Sequence, residues 1–198
     1  MDKIKIAVFA SGNGSNAENI CKYFAASGTA EVSLILCNNP GAYVLHRAEN
    51  LNVPAVVFDG KQLEDGTVLS LLRDNGIGFV VLAGFLRKIP DAIVYEYENR
   101  IVNIHPSLLP KYGGKGMYGD KVHEAVFAAK EKQSGITIHY LNERYDEGSI
   151  IFQKTCDIVE NDTPATIAAK VHALEYECYP QVIDAVISRL KDNNARNK

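Results

Sequence analysis

The sequence predicts an α/β fold: a doubly wound, mostly parallel sheet with helices on both faces and an antiparallel C-terminal addition. Three observations carry this expectation. Five short apolar runs alternate with helical patterns over about the first 100 residues, which is the order of βαβ units. These runs are apolar almost throughout, as strands covered on both faces must be. Beyond residue 105 two strand patterns follow one another with a short connection, which suits antiparallel pairing.

The elements follow in order. Ile4 to Ala10 is short, apolar and stopped by Ser11-Gly12, so it reads as a buried strand. Asn16 to about Ala26 places Ile20, Tyr23 and Phe24 on one helical face. Val32 to Cys37 is a second strand, ended by Asn38-Asn39-Pro40-Gly41. A helix through His46 and Leu51 precedes a third strand at Ala55 to Phe58. Leu63 to Asn75 reads as one helix, with Val68, Leu71 and Leu72 inward and Gly76 as its stop. Phe79 to Ala83 is the most apolar strand, Pro90 opens a short helix, and Ile101 to Ile104 is a fifth strand.

After the glycine-rich stretch 107–116, a helix is expected from Asp120 to Lys130. Strands are expected at Gly135 to Leu141 and Ser149 to Thr155, with Tyr145-Asp146-Glu147-Gly148 in the turn between them. Asp162-Thr163-Pro164 is a helix start. The helix runs to about Leu190, with Pro180 expected to kink or divide it. Residues 1–190 are expected to form a single domain and 191–198 a tail that frays from Ala195.

Composition bounds the function. Of 198 residues, 46% are hydrophobic and 23% charged, near the globular average, which excludes a disordered chain, a fibre and a coiled coil. No apolar run approaches the roughly 20 residues of a membrane span, and the alternating charges of Met1 to Ile6 do not resemble a signal peptide. Twenty-one basic and 24 acidic side chains leave a formal charge of −3, so nothing attracts nucleic acid globally and an anionic ligand needs a local site. Cys21, Cys37, Cys156 and Cys178 lie among apolar residues without C-x-x-C spacing, which fits reduced thiols in a cytoplasmic protein and no metal site.

Ligands of open parallel sheets bind at the carboxyl ends of the strands, so the loops there are the candidates. Ser11-Gly12-Asn13-Gly14-Ser15-Asn16 follows the first strand and opens the first helix. Its free amides and the helix dipole favour a phosphate, although an ordinary capped βα turn has the same look. It matches neither a Walker loop nor G-x-G-x-x-G. Asn103 and His105 alternate along a strand end and so point to one side, where an amide and an imidazole are suited to hold and protonate a developing oxyanion. Asp146 lies in a turn that is common on its own; beside His105 it is expected to favour the imidazolium. His139 is either structural or a third partner in proton handling. His46 and His123 read as solvated or packed helix positions.

The motifs Ser11 to Asn16, Val81-Leu82-Ala83-Gly84-Phe85-Leu86-Arg87, Asn103-Ile104-His105-Pro106-Ser107-Leu108-Leu109-Pro110 and Tyr145 to Gly148 occur in an order that resembles the folate-dependent formyltransferases. The resemblance covers roughly residues 4–190, and the Ser11 to Asn16 loop is similar to that of the branch acting on glycinamide ribonucleotide. It implies the formyltransferase fold, with 10-formyltetrahydrofolate as co-substrate and no metal. It implies that Gly14, Ser15 and Asn16 hold the substrate phosphate through backbone amides, that His172 and Glu175 lie at the ribose hydroxyls, and that Asn103, His105 and Asp146 are the catalytic group. Leu86, Arg87, Lys88 and Ile89 then line the folate pocket with Asn103, and Asn142, Glu143, Arg144, Tyr145 and Asp146 form its second loop. Three departures stand out. The 113–119 stretch has no residue-by-residue counterpart, neither Lys61 nor Arg73 matches the family's basic folate contact, and Lys88 is charged where the bacterial pattern is apolar.

The implied reaction is attack of the neutral amine on the formyl carbon. Asn103 and protonated His105 would stabilise the oxyanion, while Asp146 keeps His105 charged and relays a proton to the leaving folate nitrogen. The alternatives are a formyltetrahydrofolate hydrolase, a formyltransferase with another acceptor (initiator tRNA or a nucleotide sugar), and a non-enzymatic nucleotide-binding module. Such hydrolases carry an extra amino-terminal domain and the tRNA enzymes a basic carboxyl-terminal one, and the single expected domain leaves no room for either. The expected partners are small-molecule substrates, with no nucleic acid and no membrane, and the chain is expected to be a monomer or homodimer.

Overall fold

A computed structural model describes residues 3–196. Its chain order is β1 (Ile4–Ala10), α1 (Ser15–Ser27), β2 (Ala30–Cys37), α2 (Val44–Asn50), β3 (Ala55–Val57), α3 (Gly60–Glu64), α4 (Thr67–Asp74) and β4 (Ile77–Leu82). There follow α5 (Asp91–Glu96), β5 (Ile101–His105), α6 (Asp120–Ala128), β6 (Gln133–Tyr140), β7 (Ile150–Asp157) and α7 (Pro164–Arg196). The seven strands form one sheet in the order β3-β2-β1-β4-β5-β6-β7. The first five are parallel, and β6 and β7 add antiparallel to the β5 edge.

Strand alternation distributes the core. Ile6, Val8 and Ala10 of β1 face a layer built from α1, α2 and α7, including Ile20, Phe24, Val44, Val171 and Tyr179. Ala7 and Phe9 face the opposite layer, with Leu63 of α3, Leu72 of α4 and Ile93 of α5. Both faces of the parallel strands are therefore covered, which is why their sequences run apolar without a break. The order reverses between β1 and β4, and a cleft forms at the carboxyl ends of these strands, as the switch-point rule requires.

Two expectations are corrected. The segment 63–75 is not one helix: α3 and α4 break at Asp65-Gly66, where Gly66 has φ 89° and Thr67 donates to Asp65 Oδ1 through its amide and its hydroxyl (3.0 and 2.6 Å). α3 starts earlier because Asp59 and Gln62 form a reciprocal capping box. Of the two expected effects of Pro180, a kink or a division, the division does not occur: α7 is one helix through it. A proline removes the amide that would bond the carbonyl four residues back, which here is Tyr176. Asn19 Nδ2 of α1 donates to that carbonyl at 2.7 Å instead, so helix packing replaces the missing bond. α7 also continues to Arg196, past the expected start of the tail, while residues 197 and 198 lie outside the described residues.

Candidate active site

The cleft has a volume of about 920 Å³ and is lined from both ends of the motif set: Gly14, Ser15 and Asn16 after β1, Gly84 to Ile89 after β4, and Asn103 and His105 at the end of β5. His139 of β6, Asn142 and Arg144 to Asp146 of the following loop, and His172 and Glu175 of α7 complete the wall. Glu143 lies on the same loop outside that lining, and its carboxylate accepts a hydrogen bond from Tyr95 Oη of α5 (2.7 Å).

At one end, Gly14 caps α1 with φ 76°, a left-handed conformation that favours glycine. A Cβ there would lie 2.4 Å from Val44 Cγ2, so α2 packs directly on the turn. Arg47 donates to the Asn13 carbonyl and Oδ1 (both 2.9 Å) and pairs with Glu18, which fixes the loop from behind. The first-turn amides of α1 are left facing the cleft, the arrangement that binds anions. Beside them, Glu175 Oε2 accepts from Asn16 Nδ2 (2.9 Å) and from His172 Nδ1 (2.8 Å), and His172 Nε2 lies 3.2 Å from Ser15 Oγ. Glu175 is buried, and its hydrogen bond raises the His172 pKa above the ordinary imidazole value.

At the other end, antiparallel register sets Asn103 opposite His139 and His105 opposite Thr137. His139 Nδ1 donates to the Tyr140 carbonyl (2.9 Å), so its Nε2 is free to accept from Asn103 Nδ2 (3.2 Å). One amide hydrogen of Asn103 is thereby used and the other remains for a ligand. His105 Nε2 donates to the Tyr112 carbonyl (2.7 Å), and its Nδ1 lies 3.6 Å from Asp146 Oδ2. The other oxygen of Asp146 lies 3.6 Å from His139 Nε2. The Gly114 amide donates to Asp146 Oδ2 at 2.8 Å. Asp146 adopts φ 56°, and the turn holding it closes only because Gly148 has no side chain: a Cβ there would meet the Tyr140 carbonyl oxygen at 1.7 Å.

The electrostatics correct one expectation. Burial pushes the His105 pKa below the ordinary value, and the Asp146 carboxylate and Tyr112 carbonyl pull it back without offsetting this. His105 is therefore predominantly neutral at pH 7, not the imidazolium expected from its acidic neighbour. Burial also opposes ionisation of Asp146, but the His139 ring, the His105 ring and the Gly114 amide overcome it and leave the carboxyl below its usual range. The pair consists of an ionised acid and an imidazole whose bare Nδ1 faces it.

The remaining wall is partly apolar. Leu86 is 54% exposed although its amide is held by Ser11 Oγ (3.0 Å), while Ile89 behind it is buried. A pinned, exposed leucine at the lip of a cleft suits the flat face of an aromatic ring. The Arg87 guanidinium reaches Gly60 at the start of α3, whereas Arg73 is paired with Glu96. Three features of the site do not follow from sequence reasoning: the Tyr112 carbonyl, the Gly114 amide and His123. The first two are backbone groups and carry no residue signal. His123 reads as an ordinary helix position but lines the cleft.

A doubly wound sheet with an amide-lined anion site at one end of a cleft and an Asn-His-His-Asp group at the other defines an enzyme of the group-transfer class. Residues 4–183 match the formyl transferase family, and the chain belongs to it. It is 40% identical over 191 residues to the chloroplastic phosphoribosylglycinamide formyltransferase of Arabidopsis thaliana, covering 92% of this chain and 65% of that protein. It is 39% identical over 189 residues to the phosphoribosylglycinamide formyltransferase of Bacillus subtilis (92% and 94% covered). The crystal structure of the phosphoribosylglycinamide formyltransferase from Bacillus halodurans superposes with a TM-score of 0.85 at 37% identity, over 94% of this chain and 96% of that one.

Proposed function

We propose that the chain transfers the formyl group of 10-formyltetrahydrofolate to the primary amine of glycinamide ribonucleotide, a step of purine biosynthesis. The observation that carries this reading is the pairing, in one cleft, of the α1 amides with the Asn103, His105, His139 and Asp146 group. The names of the relatives support the same acceptor.

The substrate phosphate sits on the amides of Gly14, Ser15 and Asn16, and Glu175 accepts hydrogen bonds from the ribose hydroxyls beside His172. The folate rings lie along Leu86 to Ile89 and the loop carrying Asn142, Arg144 and Tyr145, where the apolar wall and backbone groups fit a flat heterocycle. When bound, 10-formyltetrahydrofolate supplies the electrophilic carbonyl. The free Nδ2 hydrogen of Asn103 is aimed where negative charge develops. His105 offers its Nε2–H by exchanging the Tyr112 carbonyl for the same oxygen. Asp146, ionised at neutral pH, accepts the proton released by the amine, with the bare Nδ1 of His105 beside it as a second acceptor. The proton then leaves with the departing nitrogen. Four free cysteines, three of them buried, accord with a reducing, cytoplasmic setting. No helix among the described residues is long and apolar enough to cross a membrane.

One assay tests the reading. The protein is incubated with 10-formyltetrahydrofolate, with and without glycinamide ribonucleotide, and folate absorbance is followed. Amine-dependent release is expected. Release without the amine would make the chain a hydrolase, and no release in either case would refute the activity.

A further inference from the structure

The carbonyl that accepts the His105 Nε2–H belongs to Tyr112, whose φ is 55°. A bulky residue rarely adopts this left-handed conformation, and it persists only where its surroundings enforce it. Three ties hold the segment. Ser107 Oγ donates to the Lys111 carbonyl (2.6 Å), and the Gly114 amide donates to Asp146 Oδ2 (2.8 Å). Between them, Lys111 Nζ (2.8 Å) and Tyr112 Oη (3.0 Å) converge on one atom, Glu131 Oε1. Among the described residues, Glu131 is the only hydrogen-bond partner of either side chain.

Glu131 and Tyr112 do not line the cleft. Glu131 follows the end of α6, where Lys130 takes φ 52° and the Glu131 amide donates to the Val126 carbonyl (3.3 Å), so the anchor stands on fixed backbone. The Lys111 and Tyr112 bonds keep its carboxyl below the usual range, and it is ionised at neutral pH. An exposed lysine pair contributes little, but the bond from the phenol is charge-assisted and directional. The chain beyond Tyr112 supplies less restraint: a Cβ at Gly114, Gly116 or Gly119 would meet nothing within 4 Å.

From this geometry we infer that Glu131 is a positioning residue: by holding Tyr112 it keeps that carbonyl on His105 Nε2, and so fixes the orientation of the ring and the nitrogen that carries its proton. The inference rests on the activity proposed above and adds a support for it from outside the cleft. Without the anchor, Tyr112 is free to leave φ 55° for an ordinary conformation, which carries its carbonyl away. The Nε2 proton then loses its acceptor, whereas a proton on Nδ1 faces the ionised Asp146. The tautomer shifts to the one with no Nε2–H for the developing oxyanion.

Nitrogen NMR of the substrate-free enzyme, with isotope-labelled histidine, and steady-state kinetics of Glu131→Ala, Glu131→Gln and Tyr112→Phe test the inference. Wild-type His105 is expected to carry its proton on Nε2. Glu131→Ala and Tyr112→Phe should move it to Nδ1, while Glu131→Gln, which keeps an oxygen for Tyr112 Oη, should not. In the first two variants kcat should fall about 10-fold, and in Glu131→Gln it should stay within about 3-fold of wild type. Both KM values should remain within about 2-fold, because the lost bond touches neither substrate. Tm should stay near wild type. An unchanged His105 spectrum in Glu131→Ala, a kcat within about 2-fold of wild type, or a glutamine variant no better than alanine would overturn it. If Glu131→Ala does not fold, Tyr112→Phe, which loses only the hydroxyl, carries both readouts. The spectrum needs no substrate, so the two readings fail separately. Wild-type enzyme that does not formylate the acceptor, while the His105 signals respond to the variants, removes the proposed function and leaves the anchor. Wild-type enzyme that formylates it, with His105 signals that do not respond, removes only the anchor.

Discussion

Replacing Asp146 by asparagine isolates a charge with little change in shape. The side chain accepts the Gly114 amide at 2.8 Å and faces His105 Nδ1 and His139 Nε2, each at 3.6 Å. Asparagine keeps an oxygen for Gly114 and tolerates φ 56°, a conformation that alanine or valine would strain. The proton acceptor and the negative charge are lost. Positioned acid–base groups contribute about 10²- to 10⁴-fold, or about 3–5 kcal/mol of barrier at 1.36 kcal/mol per decade. A second loss runs the same way: His105, already pushed down by burial, no longer has the carboxylate pulling it up. Asp146→Asn is therefore expected to lower kcat by at least about 100-fold, with both KM values within a few-fold and Tm somewhat below wild type at neutral pH, because a carboxyl held below its usual range stabilises the fold when ionised. Stopped-time assays at saturating substrates, with thermal melts on the same preparations, measure this. Turnover within about 10-fold of wild type would refute Asp146 as the proton acceptor.

Gly14→Ala forces a left-handed alanine and a Cβ at 2.4 Å from Val44 Cγ2, so Tm should fall by an amount equivalent to about 2–4 kcal/mol and the acceptor KM should rise. Adding Val44→Ala should recover only the steric part, as thermal melts of the single and double variants will show. Glu175→Gln should raise the acceptor KM about 10-fold or more, the scale of hydrogen bonds to a charged group, with a smaller effect on kcat. Because Glu175 raises the folded-state pKa of His172, their pairing stabilises fully below the unfolded value of about 6.5 and fades as pH rises through the raised one. The wild-type advantage in Tm over Glu175→Gln should therefore shrink as the buffer is made alkaline. Asp162 accepts from the Val159 amide and Thr166 Oγ1 (both 2.8 Å) and pairs with Lys170, which lowers its pKa from 3.8 to about 2. Asp162→Ala should melt below wild type above pH 3.8, and the gap should close as pH falls toward 2.

The sequence exposes these features unevenly, and the reason is physical. Strand period alone puts Asn103 and His105 on one side, because a two-residue repeat needs no tertiary knowledge. The apolar strands and the reversal to an antiparallel edge are legible in the same local way. His139 stays between two readings in the sequence because its role follows from register: only pairing β5 with β6 sets it opposite Asn103. The charge state of His105 is misleading in the motif, where a neighbouring acid is visible but the burial that outweighs it belongs to the whole fold. Pro180 misleads for a similar reason, since the donor that replaces its missing amide comes from Asn19, 161 positions away in the chain. Asp65-Gly66 is a turn signal in its own right, and the apolar spacing across it obscures the break between α3 and α4.

The two ends of the cleft carry opposite polarity, and this bears on how the acceptor is oriented. The α1 amides form the positive end. The one acidic residue of that first turn, Glu18, is neutralised by Arg47 and Lys22. His172, with its raised pKa, offsets the charge of the Glu175 carboxylate hydrogen-bonded to it. The opposite end holds an ionised Asp146 beside a neutral His105, a net negative charge that would vanish if His105 were protonated. Glycinamide ribonucleotide is itself dipolar, with a phosphate at one terminus and an amine at the other. The field therefore favours one of its two orientations, the one that delivers the amine to Asp146. The burial that keeps His105 neutral therefore also preserves the charge that draws the amine terminus to the reacting end.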